Sequence, residues 1–216
     1  MTDILWTRPE ADPTATLVLA HGAGAPMDSG FMERFAGHAA RAGLAVARFE
    51  FAYMAARRAG GPKRPPPKAD TLVGEFQRAV QEVMAETPGP VLIGGKSMGG
   101  RVAAMLAGSP SLPRRVAAVV CLGYPFHPQG KSDPEAWRLA PLAASRRPVL
   151  VAQGTRDGFG TQDEVGAVTL PAHVTLHWLE DGNHDLAPRG ASPATWDGNL
   201  AAAAAAAAEL AARVSD

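Results

Sequence analysis

A single cysteine, a net charge of zero and the want of any long hydrophobic run each remove a class of function from this chain. Cys121 has no partner for an internal disulfide, so a scaffold stapled by disulfides is excluded and a reduced, cytoplasmic setting is expected. Lys plus Arg number 21 against 21 Asp plus Glu. That balance gives no long-range pull toward nucleic acid or an acidic membrane surface, and neither is expected as a partner. No stretch reaches the roughly eighteen consecutive apolar residues that a membrane span requires. The alanine run Ala201–Ala208, between Asp197 and Glu209, comes nearest, but alanine is a strong helix former and weakly hydrophobic, so a water-soluble helix is expected there. The first residues, MTDILWTRPEAD, carry Asp3 and Arg8 where a secretory signal would be apolar. Internal repeats and a linker-like stretch are also missing.

What is present is an ordinary globular balance, 46% hydrophobic and 19% charged over 216 residues, which suits one domain (1–216) with a sizeable core. Short apolar or β-branched runs predict strands at Ile4–Thr7, Ala15–Ala20, Ala45–Phe51, Pro90–Gly94, Ala117–Leu122, Val149–Gln153 and Val174–Leu179. Helical patterns fall between them at Phe31–Ala42, Asp70–Glu86, Gly99–Ala107, near Glu135–Ala143, and at Thr161–Val165. A last helix is expected from about Pro193 to Val214, with Ser192 as N-cap and Pro193 at the first helical position. Alternation of this kind predicts an α/β fold: a doubly wound, mostly parallel sheet of about seven strands with helices on both faces. The short gap after Ile4–Thr7 leaves room for the first two strands to pair antiparallel. The connection between Leu122 and Val149 is too short for a large cap domain, so an open site is expected.

The decisive motif is Gly95-Lys96-Ser97-Met98-Gly99. G-x-S-x-G alone is a weak pattern, but here the strand VLIGG precedes it and the helix GGRVAAMLAG follows, the strand–turn–helix setting that an exposed nucleophile requires. A sharp turn of this kind needs small neighbours, and it sets Ser97 at a helix N-terminus where developing negative charge is stabilised. The same residues end like a phosphate-binding G-x-x-x-x-G-K-S loop. That reading fails, because Pro90 stands where its first glycine should be and VLIG belongs to a strand.

A serine hydroxyl needs a base to take its proton. Of the six histidines, His38 and His177 fall inside elements and His173 just before one, while His127 remains a candidate. His184, in LEDGNHDL after the last strand, lies on the C-terminal rim where doubly wound sheets place their sites. Asp157, in QGTRDGFG after the strand before it, is the expected acid, with Asp163 in reserve and Asp185 taken as structural. The order Ser97, Asp157, His184 matches the Ser, acid, His order of hydrolases of this architecture. Oxyanion donors are expected from the Met98 amide and from Ala23 or Gly24 in the small-residue loop HGAGA, with His21 bracing that loop. These residues predict a serine hydrolase acting on an ester, thioester or related acyl bond of a small-molecule substrate, needing no cofactor or metal. The alternatives are a non-catalytic scaffold of the same fold or a small peptidase. A monomer or small homo-oligomer is expected. Arg57–Lys68, RRAGGPKRPPPK, reads either as a solvated connector or as a basic flap that draws anionic substrates to the site.

Taken together, these residues resemble the α/β-hydrolase superfamily over nearly the whole chain. HGAGAPMDS, FEFAYM followed by KRPPPK, GGKSMGGR, GTRD and GNHDL resemble more narrowly a small hydrolase-like family that includes testis-expressed proteins and a chromatin-complex subunit. The chain is also similar to dienelactone hydrolases, which carry a cysteine nucleophile where this chain has Ser97. In the narrower family a stretch reads F-N-F-P-Y; here Glu50 and Ala52 replace the Asn and the Pro, beside Tyr53.

Overall fold

The computed structural model describes residues 3–131 and 133–215. Its centre is one 7-stranded sheet, β1 (Ile4–Thr7), β2 (Ala15–Ala20), β3 (Leu44–Phe49), β4 (Val91–Lys96), β5 (Val116–Leu122), β6 (Val149–Gly154) and β7 (Val174–Leu179), in the order β1-β3-β2-β4-β5-β6-β7. All neighbours run parallel except β1, which lies antiparallel to β3. The antiparallel β1–β2 pairing for which the short gap left room is therefore not formed. The connecting residues 8–14 include Pro9 and Pro13, neither suited to a tight hairpin, and the chain passes β3 before it enters the sheet as β2.

Strand side chains alternate between two cores. Val18, Ala47, Phe49, Ile93, Val119, Cys121 and Val151 meet α3 (Val73–Glu86), α4 (Met98–Ala107) and α5 (Ala140–Ala144) on one face. Leu17, Leu19, Val46, Leu92, Val120 and Leu150 meet α1 (Gly30–Arg41) and α7 (Trp196–Ser215) on the other. Strands buried on both faces need an unbroken apolar run, which is why LVLA, AAVVCL and VLVA carry no charge. This is the doubly wound architecture expected. The connection leaving β2 leads one way, to β3, and that leaving β4 leads the other way, to β5, so a crevice opens between the carboxyl ends of β2 and β4.

Several boundaries move. The expected Asp70–Glu86 helix begins with a 3₁₀ turn, Ala69–Leu72, before α3. The weak helix near 135–143 resolves into a 3₁₀ turn at Pro134–Ala136 and the short α5. Helix α6 spans Gln162–Gly166 and is opened by a capping box between Thr161 and Glu164. The terminal helix starts at Trp196 rather than near Pro193. Thr195 takes the cap, its Oγ1 accepting the Gly198 amide at 3.0 Å, while Ser192 Oγ accepts the Ala194 amide ahead of the helix. A helix absent from the sequence reading, α2 (Ala52–Arg58), follows β3. Ala52 opens it at the first helical position, which also suits the proline of the related stretch, so that replacement leaves the helix start intact.

Strand β4 runs two residues further than expected, through Gly95 and Lys96 into the turn at Ser97. Space there is very tight. A Cβ on Gly99 would lie 2.6 Å from both the Ala20 and His21 carbonyl oxygens, and one on Gly95 would lie 2.5 Å from the Gly99 carbonyl carbon. All of these contacts are backbone, which cannot swing aside. Gly99→Ala should therefore lower the unfolding free energy by about 1–3 kcal/mol or more through overpacking. Urea denaturation checks this, and an unchanged midpoint at unchanged slope would mean that the turn has slack.

Candidate active site

Ser97 occupies the turn between β4 and α4 with φ 51° and ψ −114°, a left-handed conformation that a side chain rarely adopts and that costs on the order of 1–3 kcal/mol. The surroundings hold it there. Its amide donates to the Leu122 carbonyl at 2.9 Å, its carbonyl receives the Arg101 amide at 3.1 Å, and the glycines flanking it admit β2's end. The hydroxyl is thereby turned out of the sheet, beside the first turn of α4, where the Met98 N–H has no acceptor within its own helix.

The structure brings the three residues expected from sequence into one chain of hydrogen bonds. His184 Nε2 lies 2.8 Å from Ser97 Oγ, and His184 Nδ1 lies 2.9 Å and 3.1 Å from Asp157 Oδ2 and Oδ1. Asp157 is fully buried, as a carboxylate can be only when its oxygens find donors. It receives Nδ1–H of His184, the Phe159 amide at 2.9 Å and the Gln153 side-chain amide at 2.9 Å. With its Nδ1 proton held by the carboxylate, His184 presents a free Nε2 lone pair to the serine hydroxyl. Phe159 packs across the imidazole, its ring centroid 4.3 Å away.

Each loop is braced by hydrogen bonds of its own, and Arg156 also ties the Asp157 loop to the His184 loop. The His184 loop makes an Asx turn in which Asn183 Oδ1 accepts the Asp185 and Ala187 amides. Helix α7 pins it further: Asn199 Nδ2 donates to Leu186 O, and Trp196 Nε1 donates to Asp185 O. At the start of the loop, Asp181 receives Arg156 and Arg189, and its carboxyl is held down at about 2, chiefly by the Arg189 hydrogen bond. The loop after β2 is braced by His21, which is wholly buried. His21 Nδ1 donates to Gly22 O at 2.6 Å, and Nε2 accepts the Phe51 amide at 3.2 Å, which fixes the neutral tautomer. Tyr53, on α2, donates its hydroxyl to Ala23 O at 3.0 Å, and burial pushes its pKa up to about 12. Glu50 serves the same corner by accepting the Met27 amide and the Arg58 guanidinium.

Ala23 and Gly24 border the same cleft as Ser97 and His184, a cavity of about 320 Å³ also lined by Phe31, Met32 and Lys96. The other candidates lie elsewhere. His127 directs its ring nitrogens to Pro128 O and toward Glu164, while Asp163 borders a separate recess beside Arg156 and Arg189. His38 meets Asp197, and His173 meets Leu142 O. Within the basic segment, Arg58 is committed to Asp28 and Glu50, whereas Arg57, Lys63 and Arg64 line a second recess against Ala23 and Gly24. Sequence reasoning missed Gln153 and Phe159. A glutamine ending the apolar run VLVAQ is a polar residue in a strand buried on both faces, and that was the available signal for the first. Among the described residues, no group of three or more His, Cys, Asp and Glu is placed to hold a metal ion, and no helix is long and apolar enough to cross a membrane.

The sequence model for the alpha/beta hydrolase domain matches residues 13–212. Among solved structures, an alpha-beta serine hydrolase homologue from Coxiella burnetii aligns over 98% of this chain and 90% of its own, with TM-score 0.65 and 18% identity. A serine hydrolase without a lid from Xanthomonas campestris covers 86% of this chain and 81% of its own, with TM-score 0.62 and 21% identity. Dienelactone hydrolase from Anabaena variabilis covers 98% and 91%, with TM-score 0.63 and 19% identity. At such identities the likeness is one of fold.

Two consequences can be measured. Gln153→Leu would strip a donor from Asp157 and leave the buried Tyr124 amide, now 2.7 Å from Gln153 Oε1, without an acceptor. Each such orphan costs about 1–3 kcal/mol, so urea denaturation should show a loss of that order, and no loss would mean the network is dispensable. Burial lowers the pKa of His21 below its ordinary 6.5. A folded-state pKa below the unfolded one means protons bind preferentially to the unfolded chain, so stability is full above pH ~6.5 and falls as pH drops from there toward the lowered value. The slope of unfolding free energy against pH in that window should be shallower in His21→Asn.

Proposed function

The chain belongs to the alpha/beta hydrolase domain family, and on that premise we propose that it is a serine hydrolase cleaving an ester, thioester or related acyl bond of a small-molecule substrate. The observation that carries the proposal is the continuous hydrogen-bonded chain from Ser97 through His184 to Asp157, built on three separate loops of one rim. A non-catalytic scaffold would have no use for a strained serine aligned on a histidine whose far nitrogen meets a buried carboxylate.

In the first half-reaction, Ser97 Oγ attacks the acyl carbon while His184 Nε2 takes the hydroxyl proton. The carbonyl oxygen becomes an oxyanion, received by the Met98 amide and by an amide of Ala23 or Gly24. Tyr53 and Arg57 draw the Ala23 and Gly24 carbonyls toward α2, an arrangement that favours this use of the loop's amides. Collapse of the tetrahedral species breaks the bond to the leaving group, which departs with the proton from His184. Water then repeats the sequence: His184 takes its proton, its oxygen adds to the acyl carbon, and Ser97 is released as the hydroxyl. Asp157 orients the imidazole and stabilises its charged form throughout.

Within the family we assign the chain to the small branch that includes the testis-expressed proteins and the chromatin-complex subunit, on the strength of HGAGAPMDS, GGKSMGGR and GNHDL. A cytoplasmic monomer or small homo-oligomer is part of the same reading.

Kinetics with p-nitrophenyl esters test it. Ser97→Ala should reduce kcat on the order of 10⁴-fold or more, with the fold intact by circular dichroism. His184→Ala and Asp157→Asn should each slow turnover, and adding either to Ser97→Ala should change little because the three act as a unit. Ser97→Ala activity within tenfold of wild type would refute the assignment.

A further inference from the structure

Lys96, immediately before the nucleophile, has no part in that chemistry. Its side chain is only 8% exposed, yet it lines the cleft that holds Ser97 and His184. Around it the cleft is largely apolar, with Ala23, Ala25, Phe31, Met32 and Phe159. The ammonium sits 5.3 Å from the Phe31 ring centroid and has, among the described residues, one ion-pair partner, Asp185 at 3.3 Å, whose own side chain is 64% exposed. Asp157, the other carboxylate whose field reaches Lys96, is taken up by His184, Gln153 and the Phe159 amide. An ammonium carries three donors, and one contact to a solvated carboxylate leaves capacity for another acceptor.

Resting on the hydrolase reading above, we propose that Lys96 is the receptor for an anionic group on the substrate, so that the enzyme acts on acyl compounds bearing a carboxylate, with Asp185 as the counterion the substrate displaces. A buried cation in an apolar cleft carries a desolvation penalty, and burial does push the Lys96 ammonium below its ordinary range against the pull of Asp185. A purely structural role would be to clasp the His184 loop to the nucleophile turn. That loop is already fixed without it, by the Asn183 turn, by Asn199 on Leu186 O and by Trp196 on Asp185 O. The recess beside the cleft adds charge of the same sign, since Arg57, Lys63 and Arg64 border Ala23 and Gly24 from the other side. An anionic acyl group thus meets a partly desolvated ammonium within the cleft and further positive charge in the recess beside it.

The test compares mono-p-nitrophenyl glutarate with p-nitrophenyl butyrate and, separately, measures glutarate binding to Ser97→Ala by calorimetry. Lys96→Met should lower the ratio of kcat/KM for the acidic over the neutral ester by about tenfold or more, the worth of one charge-assisted hydrogen bond. Asp185→Asn, an exposed change that should fold normally, should raise the ratio and tighten glutarate binding by removing the competing carboxylate. Glutarate should bind Ser97→Ala saturably and fail to bind the double variant Ser97→Ala, Lys96→Met. An unchanged ratio in both single variants, with glutarate bound equally or not at all, would overturn the proposal and leave the hydrolase reading untouched. Lys96-dependent glutarate binding in a protein that turns over neither ester would uphold the anion site and refute the hydrolase reading instead.

Discussion

The close approach of the β2 end to the β4–α4 turn is the constraint on which the rest depends. The Ala20 and His21 carbonyls press against Gly99, and Gly95 meets the start of α4, with no room for a Cβ at either glycine. Packed this tightly, the chain must turn within one residue, and Ser97 takes the left-handed conformation that the turn demands. The same contact sets the loop after β2 beside the nucleophile, so the strain that exposes the hydroxyl and the placement of Ala23 and Gly24 have a common origin. Strain of this kind persists only where the surroundings over-determine it, and here the backbone hydrogen bonds of Ser97, to the Leu122 carbonyl and from the Arg101 amide, do so.

Parallel topology supplies the remaining members. Because the strands from β2 to β7 run the same way, the loops after β2, β4, β6 and β7 all open on one rim, and each contributes one part of the site. The loops differ in how they are stiffened. Polar side chains supply the bracing: buried His21 and half-buried Tyr53 hold the loop after β2, buried Gln153 holds Asp157, and exposed Asn183 with buried Asn199 holds the His184 loop. Each sits close to the element it braces, so the reacting groups are positioned by rigid backbone rather than by the flexible ends of long side chains.

Much of this was legible because the site residues directly follow apolar strands. A strand–turn–helix around Gly95–Gly99, an Asp after VLVAQ and a His after the last strand follow from local pattern and from the rule that sites lie at carboxyl ends. What was hidden depends on contacts between distant parts of the chain. The place of β1 beside β3 is a matter of sheet assembly, and residues 4–7 carry nothing that distinguishes β3 from β2 as a neighbour. Helix α2 escaped notice because Met54 is its only buried residue, too little to create an apolar period. The basic segment looked uniform in sequence. Its cations divide only when Glu50 and Asp28 are seen to claim Arg58, leaving Arg57, Lys63 and Arg64 at the recess. The burial of Lys96, likewise, is set by the cleft around it rather than by its neighbours in the chain.

The central claim is that the Oγ of Ser97 is the atom to which the acyl group is transferred. Peptide mapping by mass spectrometry, after the protein has been treated with a fluorophosphonate and quenched, tests it most directly. The account predicts one stoichiometric phosphonyl adduct on the peptide containing Ser97, formed on the folded protein and lost when the chain is denatured before treatment. An adduct on another serine, or none on the folded protein, would contradict it.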